Sequence, residues 1–155
     1  MSTTDDVRAA TLALVNAYQR LLLQQRWDEW IELWTDDAEL EFPYAPRDRQ
    51  SRYRGKSEIV AYMRATPGRV AVDGVREMRL FPMLDPTVAV VEVAIDGHVP
   101  DSGAPYGQRY VLFFEARDGK LWRYREYWNP LVSIDAMGGR EVWEKDFGTP
   151  SDTAT

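Results

Sequence analysis

The chain contains no cysteine among its 155 residues, which excludes disulfides, thiolate metal ligands and cysteine nucleophiles. A single histidine, His98, is too few for a histidine metal cluster or a helical His-x-x-x-His site. Basic runs are missing, and a net charge of −6 disfavours nucleic acid as a partner. No apolar run reaches the roughly 20 residues of a membrane-spanning helix. The opening Met-Ser-Thr-Thr-Asp-Asp has neither the cationic nor the apolar segment of a secretory leader. No Gly-x-Gly-x-x-Gly is present, and Lys56-Ser57 lacks the first glycine of a phosphate loop at the required distance. These absences lead us to expect a soluble, cytoplasmic protein that works without metal or cofactor and touches neither nucleic acid nor membrane.

What the chain does have is aromatic surface: six Trp and eight Tyr. They serve either a packed core or a pocket for an apolar or conjugated ligand, since small-molecule sites are mostly apolar with a few placed polar groups. Only their positions can decide between the two. The length suits one domain with a core large enough to need no staples. We expect a single domain over residues 1–155, its body at about 5–139, an extension over 140–155, and a small polar tail after Phe147 that does not order.

Thr4, Asp5 and Asp6 mark a helix start, with acids at the positive end of the dipole. Val7, Ala10, Leu14, Tyr18 and Leu21 then recur at helical spacing to about Gln24. Trp27, Trp30, Ile31 and Trp34 fit the same template and predict a short second helix with an aromatic face; core packing explains at least Trp27 and Trp30. Thr35-Asp36-Asp37 breaks that helix, and Ala38 to Phe42 alternates as a strand. Pro43 to Ser51 reads as loop, and Gly55-Lys56-Ser57 opens a third helix that Pro67-Gly68 stops. Beyond it the pattern changes to strands over 70–80, 88–95, 106–116 and 121–128, separated by turn signals. Asn129-Pro130 ends the last strand, with a helical turn over 131–137. Helices first and an antiparallel sheet afterwards is an α+β order, and a curved sheet wrapped on the N-terminal helices would enclose a pocket.

The last strand carries the most unusual residue. Alternation puts Trp122, Tyr124, Glu126 and Trp128 on one face and Leu121, Arg123, Arg125 and Tyr127 on the other. A carboxylate among large aromatics must find a partner or hold its proton with a raised pKa, the state a general acid or base near neutrality needs. Glu126 is therefore the candidate catalytic group. Its cross-strand neighbour depends on the hairpin at Asp118-Gly119. A two-residue loop pairs Arg117 with Lys120 and sets Val111 opposite Glu126. A three-residue loop pairs Ala116 with Lys120 and sets Tyr110 there, with Tyr106, Gln108, Leu112 and Phe114 on the same side. We expect the second, because it brings hydrogen-bonding groups to the carboxylate.

Glu92, inside an apolar strand, is a second candidate acid or base, or else an edge glutamate paired with Arg109 or Arg76. Tyr44, Tyr62 and Tyr106 can donate hydrogen bonds to a developing oxyanion. His98 can shuttle protons at a cavity mouth, or is an exposed turn histidine.

Taken together, Leu33-Trp34-Thr35-Asp36-Asp37-Ala38, Pro43-Tyr44-Ala45-Pro46, Tyr53-Arg54-Gly55-Lys56, Val91-Glu92 and Gly119-Lys120 through Arg125-Glu126-Tyr127 resemble the SnoaL-like branch of the nuclear-transport-factor-2-like (ketosteroid-isomerase-like) superfamily. The resemblance spans about residues 5–139 and implies a cone-shaped α+β barrel, commonly a homodimer packed sheet to sheet. Within the branch the chain is most similar to the phenazine-biosynthesis A/B proteins, which have an Arg-Glu-Phe-Met-Asn-Pro ending where Arg125 to Pro130 stand here. Their acid/base glutamate falls on Glu126 and a site tyrosine on Tyr106. Their site His and Ser fall on Tyr62 and Thr66, and an arginine falls at about Trp30, so their substrate does not carry over. Limonene-epoxide-hydrolase-like members place a catalytic Asp at Glu126, but the arginine of their Arg-x-Asp would fall near Val90.

The expectation that follows is a cofactor-independent cyclase or isomerase of secondary metabolism, acting on an apolar polyketide-like or aromatic molecule. Glu126, Tyr106, Glu92 and His98 would be catalytic. Tyr44, Tyr62, Thr66, Trp30, Trp34, Tyr110, Trp122, Tyr124 and Trp128 would bind substrate. Epoxide opening on the same fold and a non-catalytic binding protein are the alternatives.

Overall fold

The computed structural model describes residues 3–47, 49–65 and 69–141. Helix α1 (Thr4–Leu23) starts where Thr3 and Asp6 cap one another, each side chain bonding the other's backbone N–H. Leu14, Val15, Tyr18 and Leu21 make its buried stripe. Helix α2 spans Trp27–Glu32 and ends earlier than the aromatic spacing predicts, because Trp34 already opens strand β1 (Trp34–Glu41). A three-residue strand β2 (Arg52–Arg54), too short to show alternation, pairs with β1 and leads into helix α3 (Lys56–Ala65). Four long strands follow: β3 (Ala71–Pro82), β4 (Val88–His98), β5 (Pro105–Arg117) and β6 (Lys120–Trp128). Helix α4 (Pro130–Ala136) is capped by Asn129, whose side chain accepts from the Leu131 N–H, with proline in its first turn.

The α+β class stands, as one curved six-stranded sheet in the order β2-β1-β6-β5-β4-β3. Two features go beyond the expected antiparallel barrel. The sheet stays open, and β1 joins β6 in parallel, since the chain crosses from one to the other by way of the whole antiparallel run. On the inner face, Ala89, Val91, Val93, Ile95, Leu112, Phe114, Leu121 and Tyr124 pack against α1, α2 and β1. The centre of this layer is an aromatic cluster. Tyr18 lies 5.2 Å from Trp30, 5.0 Å from Phe114 and 5.2 Å from Tyr124, ring centre to ring centre. Trp30 and Trp34 are completely enclosed in it. Their place is the core, with ring centres 5.2 Å apart, and neither lines the cavity that Glu126 faces, so the expectation that they bind substrate beside Glu126 is corrected.

The β5–β6 hairpin resolves in neither expected register. Asp118 and Gly119 both have positive φ (51° and 75°) and form a two-residue loop with Arg117 opposite Lys120. An irregularity between Glu115 and Ala116 then advances β6 by one residue, so Glu126 pairs with Leu112 and Tyr110 with Trp128. The bulge has a second effect, because Leu121 and Tyr124 both turn inward while Trp122 turns out. There Trp122 lies under two guanidinium groups, 4.0 Å from that of Arg123 and 4.9 Å from that of Arg117. Trp122 is therefore not a pocket residue.

Candidate active site

Between the open end of the sheet, the start of β3, α3 and α4 lies a cavity of about 230 Å³. Glu126 lines it with Phe42, Tyr62, Tyr106, Tyr110 and Trp128, while Val70, Val72 and Ile95 form an aliphatic side. Strand β6 delivers Glu126 and Trp128 from one face, and β5 delivers Tyr106 and Tyr110 from the same face of the neighbouring strand. Tyr62 reaches in from α3, stacked on Tyr53 at 4.5 Å and Phe42 at 5.3 Å. Ser133 and Met137 come from the C-terminal helix.

The carboxyl of Glu126 is held from below. Tyr124, two residues earlier on the same strand and locked in the aromatic core, donates its hydroxyl to Glu126 Oε2 at 2.7 Å. Loss of hydration pushes the Glu126 pKa up to about 7, and the Tyr124 hydrogen bond opposes that rise only in part. Burial also raises the Tyr110 and Tyr124 phenols well above their usual 10, with the nearby Glu126 charge adding to the effect. Both phenols therefore stay protonated and act as donors, while the carboxyl alone is poised to gain or lose a proton near neutrality.

Beside it runs a polar chain. The Tyr106 hydroxyl lies 3.1 Å from that of Tyr110 and 3.2 Å from Ser133 Oγ. Gln108, fully enclosed, donates to the Asn129 carbonyl at 2.9 Å and accepts from the Asn129 N–H at 3.2 Å. Its amide also reaches the Tyr106 oxygen at 3.5 Å. This side chain fastens β5 to the junction of β6 and α4, and so fixes where Tyr106 and Ser133 meet.

Of the residues expected from the sequence, Glu126, Tyr106, Tyr110, Tyr62 and Trp128 come together around the cavity, and Tyr124 supports them. Others do not. Glu92 stands opposite Val111 and Arg79 on the outer face, because β4 turns its odd-numbered residues inward. Its expected partners are engaged elsewhere, Arg109 with Glu77 and Arg76 with Asp96. His98 bonds Asp73 through Nδ1 at 2.9 Å on the exposed end of β4 and does not line the cavity. Tyr44 is largely exposed and packs edge-on against Tyr127 at 5.1 Å, again outside. Trp30, Trp34 and Trp122 are excluded as described above, and Thr66 lies outside the described residues. The sequence reading missed Phe42, Arg49, Arg69, Val70, Val72, Ile95, Ser133 and Met137. Val72 and Ile95 belong to strands whose apolar residues do not alternate cleanly, and the loop residues follow no period, so local pattern did not single them out. Among the described residues no group of His, Asp and Glu is arranged to hold a metal ion, and no helix is long and apolar enough to cross a membrane.

The sequence profile of the SnoaL-like domain matches residues 15–124. The uncharacterised protein YesE of Bacillus subtilis is 35% identical over 131 residues, 84% of this chain and 89% of that protein. An uncharacterised PhzA/B-like protein of Pseudomonas aeruginosa is 35% identical over 116 residues, 75% of this chain and 82% of its own. Among solved structures, a Bacillus subtilis protein put forward as an isomerase superposes with a TM-score of 0.79 at 34% identity, covering 85% of this chain and 95% of that one. A phenazine-biosynthesis-related protein of Pseudomonas aeruginosa shares the fold at 19% identity, with a TM-score of 0.72 over 88% of this chain and 90% of its own.

Proposed function

The chain belongs to the SnoaL-like family, and from that premise we propose that it is a cofactor-independent cyclase or isomerase for an apolar, conjugated small molecule. The observation that carries this reading is Glu126: a carboxyl facing a mostly apolar cavity, bonded to a buried tyrosine, with its pKa raised by desolvation to about 7. In this scheme the ionised carboxylate takes a proton from carbon next to a carbonyl. The C–H electron pair moves onto the carbonyl oxygen as an enolate, and Tyr110 or Tyr106 donates a hydrogen bond to that oxygen. The enolate then either attacks a second carbon and closes a ring or takes the proton back at a different position. Glu126 returns the proton, so it ends as it began. The aromatic and aliphatic walls exclude water, which would otherwise stabilise the ionised carboxylate and weaken it as a base.

Purified wild type and Glu126→Gln, incubated with candidate polyketide-like precursors and analysed by chromatography and mass spectrometry, test the proposal. Loss of about a hundredfold or more in turnover is expected, the typical contribution of a positioned acid/base group. Near-wild-type product formation by Glu126→Gln would refute the role of Glu126, and no product from the wild type with any precursor it binds would leave a protein that holds its ligand unchanged.

A further inference from the structure

Three hydroxyls share two contacts along the cavity wall. The Tyr106 oxygen lies 3.1 Å from that of Tyr110 and 3.2 Å from Ser133 Oγ. Among the described residues neither Tyr110 nor Ser133 has another side-chain hydrogen bond. Two contacts take up two of the three hydroxyl protons. One proton is therefore left over, at the Tyr110 end or at the Ser133 end, and both residues line the cavity.

The middle oxygen makes this chain directional. Gln108 is oriented by Asn129, whose carbonyl takes one of its amide hydrogens and whose N–H donates to its oxygen. The other amide hydrogen is directed at Tyr106 over a long 3.5 Å. A phenol oxygen donates one hydrogen bond and accepts at most two. With Gln108 on one acceptor position, Tyr106 accepts from one hydroxyl neighbour and donates to the other. When it donates to Tyr110, the Tyr110 proton is free to meet a ligand.

The sheet register favours that direction. Leu112 stands opposite Glu126, so Tyr110, two residues along on the same face, is the acid's diagonal neighbour. Tyr106 lies a further four residues away on β5. Negative charge beside Glu126, on the carboxylate or on a ligand oxygen next to it, attracts the nearer hydroxyl proton more strongly. Tyr110 is also only partly buried, whereas Tyr106 and Ser133 are buried.

We propose that Tyr110 is the residue that touches the ligand oxygen, and that Tyr106, with Ser133 behind it, is a positioning residue that donates to Tyr110 and turns its proton into the cavity. The family resemblance points to Tyr106 as the site tyrosine; in this chain its hydroxyl is taken up by three partners and acts through Tyr110. The assignment rests on the reaction proposed above only for the identity of that oxygen, a carbonyl on its way to an enolate.

4-Nitrophenol tests the chain without the substrate, since its ionised form alone absorbs strongly in the violet and its oxygen stands in for that of an enolate. Absorbance titration in the Glu126→Gln background, where no carboxylate repels the probe, reads the preference for nitrophenolate over nitrophenol. Tyr110→Phe is expected to cut that preference about tenfold or more, the weight of a hydrogen bond to an ion. Tyr106→Phe should cut it about threefold and Ser133→Ala by about a factor of two or less, because each acts through one more link. Adding Tyr106→Phe to Tyr110→Phe should cost nothing further, since nothing remains to be positioned. Circular dichroism checks folding; if Tyr106→Phe does not fold, Tyr110→Phe and Ser133→Ala decide. A larger loss from Tyr106→Phe or Ser133→Ala than from Tyr110→Phe, losses that add in the double variant, or a preference indifferent to Tyr110→Phe would each overturn the assignment. A graded series alongside near-wild-type turnover by Glu126→Gln would keep the chain and remove the acid/base reading. A flat series with turnover lost in that variant would do the reverse.

Discussion

At Glu126 two effects compete, and burial wins. Desolvation lifts the carboxyl from 4.5 to about 7 against one favourable hydrogen bond from Tyr124. If the ionised form is the working base, kcat/KM should rise with pH and level off above about 7, and Glu126→Gln should flatten the profile. Removing the hydroxyl in Tyr124→Phe deletes the hydrogen bond that favours the charged form, so the midpoint of the profile should move to higher pH. The same shift has a stability consequence. Below the unfolded value near 4.5 the group is protonated in both states and costs nothing. Between 4.5 and 7 the folded protein holds a proton that the unfolded chain has released, so stability falls as pH rises, by at most about 3 kcal/mol in all. Thermal melts of Glu126→Gln should therefore match wild type near pH 4 and exceed it at pH 8. A variant less stable than wild type at pH 8 would show that burial is not what raises the pKa.

At the scale of the elements, two close fits shape the cavity. Gly97 on β4 lies so near the start of β3 that an added Cβ would come within 2.4 Å of the Ala71 carbonyl oxygen. Backbone cannot give way there without moving β3, and the cavity residues Val70 and Val72 flank Ala71. Gly97→Ala should lower the melting temperature by an amount corresponding to about 1–3 kcal/mol and raise KM more than it lowers kcat. Gln108 is the other fit. Gln108→Leu leaves the Asn129 N–H and carbonyl unpaired at the β6–α4 junction, which should cost about 1–3 kcal/mol. It should also loosen Tyr106 and Ser133, so kcat falls even in the folded fraction. The four long strands were readable from the sequence to within a few residues, because turn chemistry and strand composition are local, whereas the three-residue β2 was not. The bulge in the β5–β6 hairpin was not. It selects Leu112 as the partner of Glu126 and sends Trp122 out beneath its arginines, although the inward face of β5 is the one expected.

On the scale of the whole molecule, the aromatic residues divide between two tasks. Tyr18, Trp30, Trp34, Phe114 and Tyr124 build the core, and Phe42, Tyr62, Tyr106, Tyr110 and Trp128 surround the hollow. Trp30→Ala should destabilise the fold by about 3–5 kcal/mol and leave the KM of the folded fraction near wild type, which denaturant melts and kinetics at low temperature can check together. Core loss alone would touch stability; an equal loss of substrate affinity would place Trp30 in the site after all. Pairing of two copies is an expectation carried by the family resemblance, and sedimentation velocity would test it.

The sequence by itself determined the class of molecule, the order of the helices and long strands, and two acids worth singling out, Glu126 and Glu92. Composition, periodicity and capping act over a few neighbours and need no knowledge of the far end of the chain. Tertiary structure alone decided which groups meet Glu126. Glu92 is turned to the outer face of its strand and His98 lies at the exposed end of the same strand, and a one-residue offset between strands is enough to exchange one face for the other. Arg49 and Arg69 come from segments with no repeat at all, so nothing short of the folded chain could bring two cations to the hollow that Glu126 faces.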